Sequence, residues 1–165
     1  MDLHTFEERL KEAKITWGIK KFADADAYRR GESFEYNEFD GNIMLNEGIN
    51  ELWTLVTGTG ATQFDHTNAY LGVGTSTTTA AATDTGLKGD PVYVGMDTGY
   101  PTYGTLQKAV WKATFDGDTA NQAWNEFTVA NGDSNGYINL NRKVSAQGTK
   151  VSGQIWELTL QITLS

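Results

Sequence analysis

The segment NGDSNG, residues 131–136, places oxygen-bearing side chains at alternate positions, as the first half of an EF-hand calcium loop does. Asn131, Asp133 and Asn135 would supply three of the roughly six to eight oxygens that Ca²⁺ needs. The twelfth position of such a loop must carry a bidentate carboxylate, and here it is Arg142, whose charge would repel the ion. The strand-like flanks FTVA and YINL favour a tight hairpin turn of residues that tolerate positive φ, so no metal is expected.

Acid–base chemistry would have to use His66 or His4, the two histidines of the chain. A Ser/His/Asp triad can be drawn from Ser76, His66 and Asp65, but Ser76 lacks the G-x-S-x-G turn that exposes a nucleophile. We therefore interpret His66 as a solvated loop residue and expect no hydrolytic site.

Asp116 and Asp118 form a D-G-D motif that could bind a cation or act as a pair of acids. The two carboxyl groups of a glycosidase lie about 5 to 10 Å apart across a sugar-sized cleft, which alternate residues of a turn seldom provide. A turn built on Gly117 is favoured, with a bound calcium ion as the open alternative. GVGT, residues 72–75, begins like a phosphate loop, but no lysine follows and no helix opens after it. We predict no enzyme and no cofactor.

Composition limits the remaining classes. The 165 residues are 39% hydrophobic and 12% aromatic, enough for one core and one domain plus an appendage. The net charge of −8 argues against binding to nucleic acid, which needs a basic face. The sequence has no cysteine, no apolar signal segment at MDLHTFEERLKEAK and no run long enough to span a membrane. We expect a protein made in a cytoplasm that binds no membrane.

The first 40 residues are predicted to form a helix followed by an extended docking arm, and residues 41–165 a separate domain. A helical spacing of four, three and four over residues 1–17 joins Phe6, Leu10, Ala13 and Trp17, and Thr5 with Glu8 forms a capping box. Residues 1–30 carry a net charge of +1 and the rest −9, so the two regions should have different neighbours. An edge strand around FEYNEF is an equally natural alternative to the arm. The candidate interface residues are Phe6, Leu10, Trp17, Phe22, Tyr28, Phe34, Tyr36 and Phe39.

Residues 43–56 predict one helix packed on a sheet. Its apolar positions recur on one face, with Asn42 able to cap the start and Gly58 to end it. Gly48 inside the helix suggests close approach of another backbone. The predicted core-facing residues are Leu45, Ile49, Leu52, Trp53 and Val56.

The remaining chain predicts a mainly β fold. Residues 69–73, AYLGV, indicate one buried strand within a long loop that is rich in Gly, Thr and Ala, and GTSTTTAAATDTG is a predicted surface excursion. Apolar and polar residues then alternate over residues 105–115, 123–130, 137–144 and 154–165. Four successive strands with turns between them predict an antiparallel β-sandwich.

The positions of the five tryptophans predict which of them are buried and which are exposed. Trp53, Trp111 and Trp156 fall on apolar faces and are predicted core residues. Trp17 and Trp124 are the candidates for exposure, where they would serve a protein interface or stack on a glycan.

Five segments, taken in order, resemble a family of small virion structural proteins of tailed bacteriophages. They cover most of residues 39–165 and read FDGNIMLNEGINELW, NAYLGVGTSTTTAAATDTGL, AVWKATFDGDTANQAWNEFTVAN, INLNRKV and GTKVSGQIWELTLQITLS. The resemblance implies a β-sandwich decoration or cement protein on the outer surface of the capsid, with no catalytic residue. Its implied partners are the major capsid protein and copies of itself, and a position on a symmetry axis would favour a trimer. A tail fibre or collar module that binds a host receptor or glycan is the alternative.

Overall fold

A computed structural model describes residues 13–164, which form ten strands and two helices. The strands lie in two antiparallel sheets of five, so the predicted mainly β sandwich is confirmed. In chain order the elements are β1 (Lys14–Phe22), α1 (Ala25–Arg30), β2 (Glu35–Asp40), β3 (Ile43–Met44), α2 (Asn46–Thr57), β4 (Tyr70–Gly74), β5 (Val92–Gly95), β6 (Thr102–Thr105), β7 (Lys108–Phe115), β8 (Glu126–Ala130), β9 (Asn141–Val144) and β10 (Ile155–Thr163).

Sheet I has the strand order β2-β1-β10-β7-β6, and sheet II has the order β3-β9-β8-β4-β5. The first strand of the described chain therefore pairs with the last in the interior of sheet I. Lys14 lies opposite Thr163, and Phe22 lies opposite Ile155. Residues 14–40 of the predicted N-terminal helix and docking arm thus supply two strands of the sandwich.

The helix predicted over residues 1–17 is wrong for its described part, because Trp17 lies in the middle of β1. Ile15, Trp17 and Ile19 point into the core and alternate with Thr16 and Gly18, which is the period of a strand. A spacing of four also returns to the same side of a strand, so the spacing between Ala13 and Trp17 fits either element. Two predicted interface residues, Phe6 and Leu10, lie outside the described residues.

The hydrophobic core lies between the two sheets and is rich in aromatic rings. Trp124 contacts Phe115 and Trp156 edge-on, with ring centroids 4.7 and 4.8 Å apart. Trp17 stacks on Phe39 at 6.4 Å, with the two rings 9° from parallel. Such pairs add roughly 0.5–1.5 kcal/mol each to the burial of apolar area.

The outer faces of the two sheets differ. All five residues of β8 are buried, including Glu126 and Thr128, whose side chains point away from the core of the sandwich. Residues 75–90, here called the threonine-rich loop, lie over that face of sheet II. On sheet I the outward-facing Lys14 and Lys20 remain exposed. Neither described helix is long and apolar enough to cross a membrane.

Candidate interaction surfaces

Helix α2 presents an apolar stripe to solvent. Trp53 is 63% exposed and Val56 is 75% exposed, and Ile49 and Leu52 are also exposed. These four residues, here called the apolar helix face, recur at the spacing that aligns side chains along one side of a helix. A contiguous exposed apolar patch with a large aromatic residue is typical of a protein interaction site.

The sequence prediction that this face packs on a sheet is therefore wrong, and Gly48 explains why. A Cβ at Gly48 would lie 2.5 Å from the backbone Cα and O of Leu140, so the helix touches the domain through its glycine side. Glu47, on the same side, accepts a hydrogen bond from the Asn139 N–H at 2.8 Å, and burial raises the pKa of Glu47. The close backbone approach predicted at Gly48 is confirmed.

The start of α2 also differs from the prediction. Residues 43–44 pair with β9 as a short strand, and the helix begins at Asn46 instead of residue 43. Leu45 precedes it as a fully buried apolar anchor, without a side-chain cap. Gly58 ends the helix as predicted, and its N–H donates to the Thr54 carbonyl.

The predicted interface residues of the described chain do not share one surface. Trp17 is buried in the core, Phe22 is buried in a separate small cluster beside α1, and Phe39 is partly buried against Trp17. Tyr28 packs edge-on against Phe22, with ring centroids 5.1 Å apart. Phe34 and Tyr36 are exposed. The predicted exposure of Trp17 is therefore wrong, because β1 points its side chain between the sheets. Phe22 lies on the opposite face of β1, where Ala27 of α1 and Ile155 of β10 cover it.

Trp124 and Trp53 exchange the roles predicted for them. Trp124 is fully buried, and its indole Nε1 donates to the Ala120 carbonyl at 3.0 Å, whereas Trp53 is exposed. The glycan hypothesis based on Trp124 therefore has no exposed ring at that position.

The threonine-rich loop is fixed on sheet II by a buried cation. Arg142 is fully buried and donates to the Glu126 carboxylate from Nε and Nη2, at 2.8 and 2.7 Å. Its Nη1 donates to Asp84 at 3.0 Å. Glu126 also accepts the backbone N–H groups of Lys88 and Gly89, at 3.0 and 2.7 Å. The predicted surface excursion is therefore bonded to Glu126 of β8 and Arg142 of β9 through five of its residues: Ser76, Thr78, Asp84, Lys88 and Gly89.

The contribution of Asp84 to the stability of the folded protein depends on pH. Burial by itself would raise the pKa of Asp84, but hydrogen bonds from Lys88 and Arg142 outweigh burial and the pKa is lowered. A carboxyl of this kind stabilises the folded state fully above its ordinary pKa of 3.8, and the contribution is lost as the pH falls through the lower, folded-state pKa.

We expect Asp84→Asn to lower the free energy of unfolding at pH 7 by about 1–3 kcal/mol, the usual scale for hydrogen bonds to charged groups. Below pH 3.8 the difference between the two proteins should narrow, because the Asp84 carboxyl of the unfolded chain is then protonated while that of the folded state is still charged. Urea denaturation at pH 7 and at lower pH measures both values. A difference that is independent of pH would contradict the assignment, and Asp90→Asn in the same loop is the matched control.

NGDSNG is a turn, as predicted. The Asn131 N–H donates to the Ile138 carbonyl at 3.0 Å, and the Asn131 Oδ1 accepts the Ile138 N–H at 2.9 Å. Asn135 bonds to both backbone groups of Leu87, which ties the turn to the threonine-rich loop. None of residues 131–136 has a positive φ, so side-chain hydrogen bonds, and not left-handed backbone, form this turn.

The D-G-D motif contains a turn and a buried ammonium group. The Asp116 carboxylate accepts from the Asp118 N–H at 3.0 Å and from the Thr119 hydroxyl at 2.6 Å. Lys150 is buried, and its Nζ donates to the Asp116 carbonyl and, at 2.8 Å, to the Asn121 side chain. Burial lowers the pKa of Lys150, although the two aspartates act in the opposite direction. The cation that this turn binds is therefore the ammonium group of Lys150.

The hypothetical triad is not assembled. His66 is exposed, and its Nδ1 lies 2.7 Å from the Tyr100 carbonyl oxygen. Asp65 accepts the N–H groups of Thr67 and Asn68 in a local turn, and the Ser76 N–H donates to Glu126. Within residues 13–164, no three His, Cys, Asp or Glu side chains are grouped closely enough to hold a metal ion.

Comparisons with known proteins add no relative. No protein-family model matches the chain, and no curated protein or solved structure matches it significantly.

Proposed function

We propose that this protein is a structural component of a bacteriophage virion, a decoration or cement protein on the outer surface of the head shell. The observation that carries the proposal is the apolar helix face of α2, which leaves four large apolar side chains in contact with water. The order of motifs over residues 39–165, which resembles small virion structural proteins, supports the same function. The proposed partners are the major capsid protein and further copies of this chain, for which a trimer is the expected symmetry.

The two edges of sheet I favour docking through side chains over docking by strand addition. Edge strand β2 carries Glu35, Glu38 and Asp40, and rows of charge discourage pairing with another strand. Edge strand β6 is four residues long and its register with β7 shifts between Thr102 and Thr105. Short or irregular edges are likewise poor templates. The apolar helix face therefore offers a neighbouring subunit a better surface than either edge of sheet I.

Trp53 is the expected centre of the contact. Tryptophan is enriched among the few residues that dominate binding energy, and replacing such a residue costs about 2 kcal/mol or more. We expect the double variant Trp53→Ser, Val56→Ser to bind purified head shells at least about 30-fold more weakly than the native protein, since about 1.4 kcal/mol is tenfold in affinity. Co-sedimentation with shells at increasing protein concentration measures the loss.

The matched control is Val151→Ser, which replaces another half-exposed valine outside α2, 53% exposed. It should bind shells as the native protein does. Both variants should unfold within about 0.5 kcal/mol of the native protein, because exposed side chains contribute little to folding. Unchanged shell binding by the double variant would refute the docking surface. Localisation of the protein on the tail of the particle by immunogold labelling would refute the head assignment.

A further inference from the structure

The open outer face of sheet I carries a groove with a volume of about 330 Å³. Its floor consists of short polar residues of β1 and β10, and a tyrosine stands at each side. We call it the tyrosine groove and define it by Thr16, Gly18, Thr159, Gln161, Tyr36 and Tyr100.

The sheet register fixes the width of this groove. Across sheet I, Glu38 of β2 lies opposite Gly18, Gly18 opposite Thr159, and Thr159 opposite Lys112 of β7. Neighbouring strands are roughly 4.8 Å apart, so β2 and β7 are separated by about 14 Å. Tyr36 belongs to β2, and the Tyr100 ring lies 5.9 Å from the Lys112 Nζ. The two rings therefore lie toward opposite sides of the polar floor, in a groove whose volume of about 330 Å³ suits a small ligand or a short chain.

Gly18 provides the space in which the Tyr36 ring lies. A Cβ at residue 18 would be 3.0 Å from the Tyr36 Oη and 3.3 Å from a ring carbon. The ring packs over this glycine, its hydroxyl donates to Glu38 at 2.8 Å, and the side chain is nevertheless 54% exposed. An aromatic ring that is held in place by the sheet and is exposed to solvent is a stacking surface.

The chemistry of the floor selects the kind of ligand. β1 and β10 are paired on both sides, so a peptide cannot be added there as a strand. A protein interface would need an apolar centre, whereas the floor offers hydroxyl and amide groups from Thr16, Thr159 and Gln161. A sugar chain presents hydroxyl groups that donate and accept hydrogen bonds, together with C–H faces that stack on aromatic rings.

We propose that the tyrosine groove binds an oligosaccharide. Tyr36 and Tyr100 stack on sugar rings, and the threonine and glutamine side chains bond the hydroxyl groups between them. The groove lies on sheet I and the apolar helix face on α2, which packs on residues next to sheet II. The site is thus separate from the shell-docking surface and leaves that surface available.

Lysines give the groove a preference among sugars. Lys112 is bound to Glu157 at 2.7 Å and faces Asp97 at 3.8 Å. Among the described residues, no carboxylate lies within salt-bridge distance of Lys14 or Lys20, and both line the groove. Two carboxylates also line the groove: Glu157 is paired with Lys112, and Glu38 accepts from the Tyr36 hydroxyl. The three lysines still leave the groove a net charge of +1, so acidic oligosaccharides should bind more tightly than neutral ones through Lys14 and Lys20.

The test is a glycan array of defined neutral and uronic-acid-containing oligosaccharides, probed with the native full-length protein and its variants. Tyr36→Ala should weaken binding at least tenfold, because stacking on a ring is lost, whereas Tyr36→Phe should retain it. Tyr137→Ala, which removes another half-exposed tyrosine outside the groove, is the matched control. Lys20→Glu should reduce binding of acidic oligosaccharides and leave neutral ones bound.

Two outcomes would overturn the proposal: no oligosaccharide bound above background, or binding that is the same for native protein and Tyr36→Ala. Thermal unfolding checks that each variant is folded, and Lys20→Glu, at an exposed position, tests the same groove without removing a ring. Shell binding by Tyr36→Ala and sugar binding by Trp53→Ser, Val56→Ser should both be native. Failure of the groove and failure of the shell assignment are therefore separate results.

Discussion

Replacing Arg142 by methionine should lower the free energy of unfolding by about 3–5 kcal/mol, because Glu126 would remain buried and charged without its cation. Both side chains are completely inaccessible to solvent. The backbone N–H groups of Lys88 and Gly89 would still bond to Glu126, but they cannot neutralise it. Urea denaturation at pH 7 with linear extrapolation to water measures the loss.

Arg29→Met is the matched control, since Arg29 pairs with Asp26 on the exposed side of α1. An exposed pair contributes about 0–1 kcal/mol, so this variant should be nearly as stable as the native protein. Adding Glu126→Gln to Arg142→Met should recover part of the loss, because it removes the unpaired charge. A loss below about 1 kcal/mol for Arg142→Met alone would mean that the buried pair does not hold the loop.

Gly48→Ala should destabilise the protein by about 1–3 kcal/mol or more, although the same change in an exposed helix stabilises by about 1 kcal/mol. The added methyl group would lie 2.5 Å from the backbone of Leu140, and backbone cannot move aside as a flexible side chain can. The helix would have to shift away from Leu140, or the contact would open. The sign of the change in the free energy of unfolding therefore shows whether helix propensity or packing dominates. Thermal or urea denaturation measures it.

Asn50→Ala, at an exposed position of the same helix, tests propensity alone. It should be neutral or stabilising by a few tenths of a kcal/mol. A stabilising Gly48→Ala would show that α2 does not touch the Leu140 backbone closely. The apolar helix face would then no longer be the necessary outward side of α2.

The alternation of apolar and polar residues predicts the strands of the β-sandwich well where one face of a strand is exposed to solvent. Alternation alone predicts strands over residues 105–115 and 154–165, and β7 and β10 lie within them. β1 was not predicted, because Phe6, Leu10, Ala13 and Trp17 fit a helical period. A spacing of four residues is compatible with both periods. The alternation of Ile15, Trp17 and Ile19 at every second residue distinguishes a strand from a helix here.

The orientation of α2 could not be predicted from its apolar stripe. Such a stripe indicates that one side of the helix is buried against another surface. That surface can belong to the domain itself or to another molecule. Gly48 was the local signal of the domain side, because a helix that contacts backbone closely does so through its smallest residue. The exposed Trp53 follows from that contact.

The charged network of Arg142, Glu126 and Asp84 depends on pairings between residues far apart in the chain. Arg142 and Asp84 are separated by 58 positions, and no local pattern links them. The one sequence signal is that Glu126 and Arg142 each lie within a predicted strand, since charges that become buried there do so in pairs. The tyrosine groove likewise depends on the order of strands in sheet I.

The pairing of β1 with β10 sets when the molecule can fold. Lys14 meets Thr163, so the inner strands of sheet I come from opposite ends of the described chain. During synthesis, β1 cannot pair with β10 until residue 163 has left the ribosome. Until then Trp17 lacks its neighbour Leu160 in the sheet. Contacts over such sequence distances make folding slow, on the scale of milliseconds to seconds for β proteins of high contact order. The period before residue 163 emerges should therefore be the one in which β1 is most exposed to misfolding and to capture by chaperones.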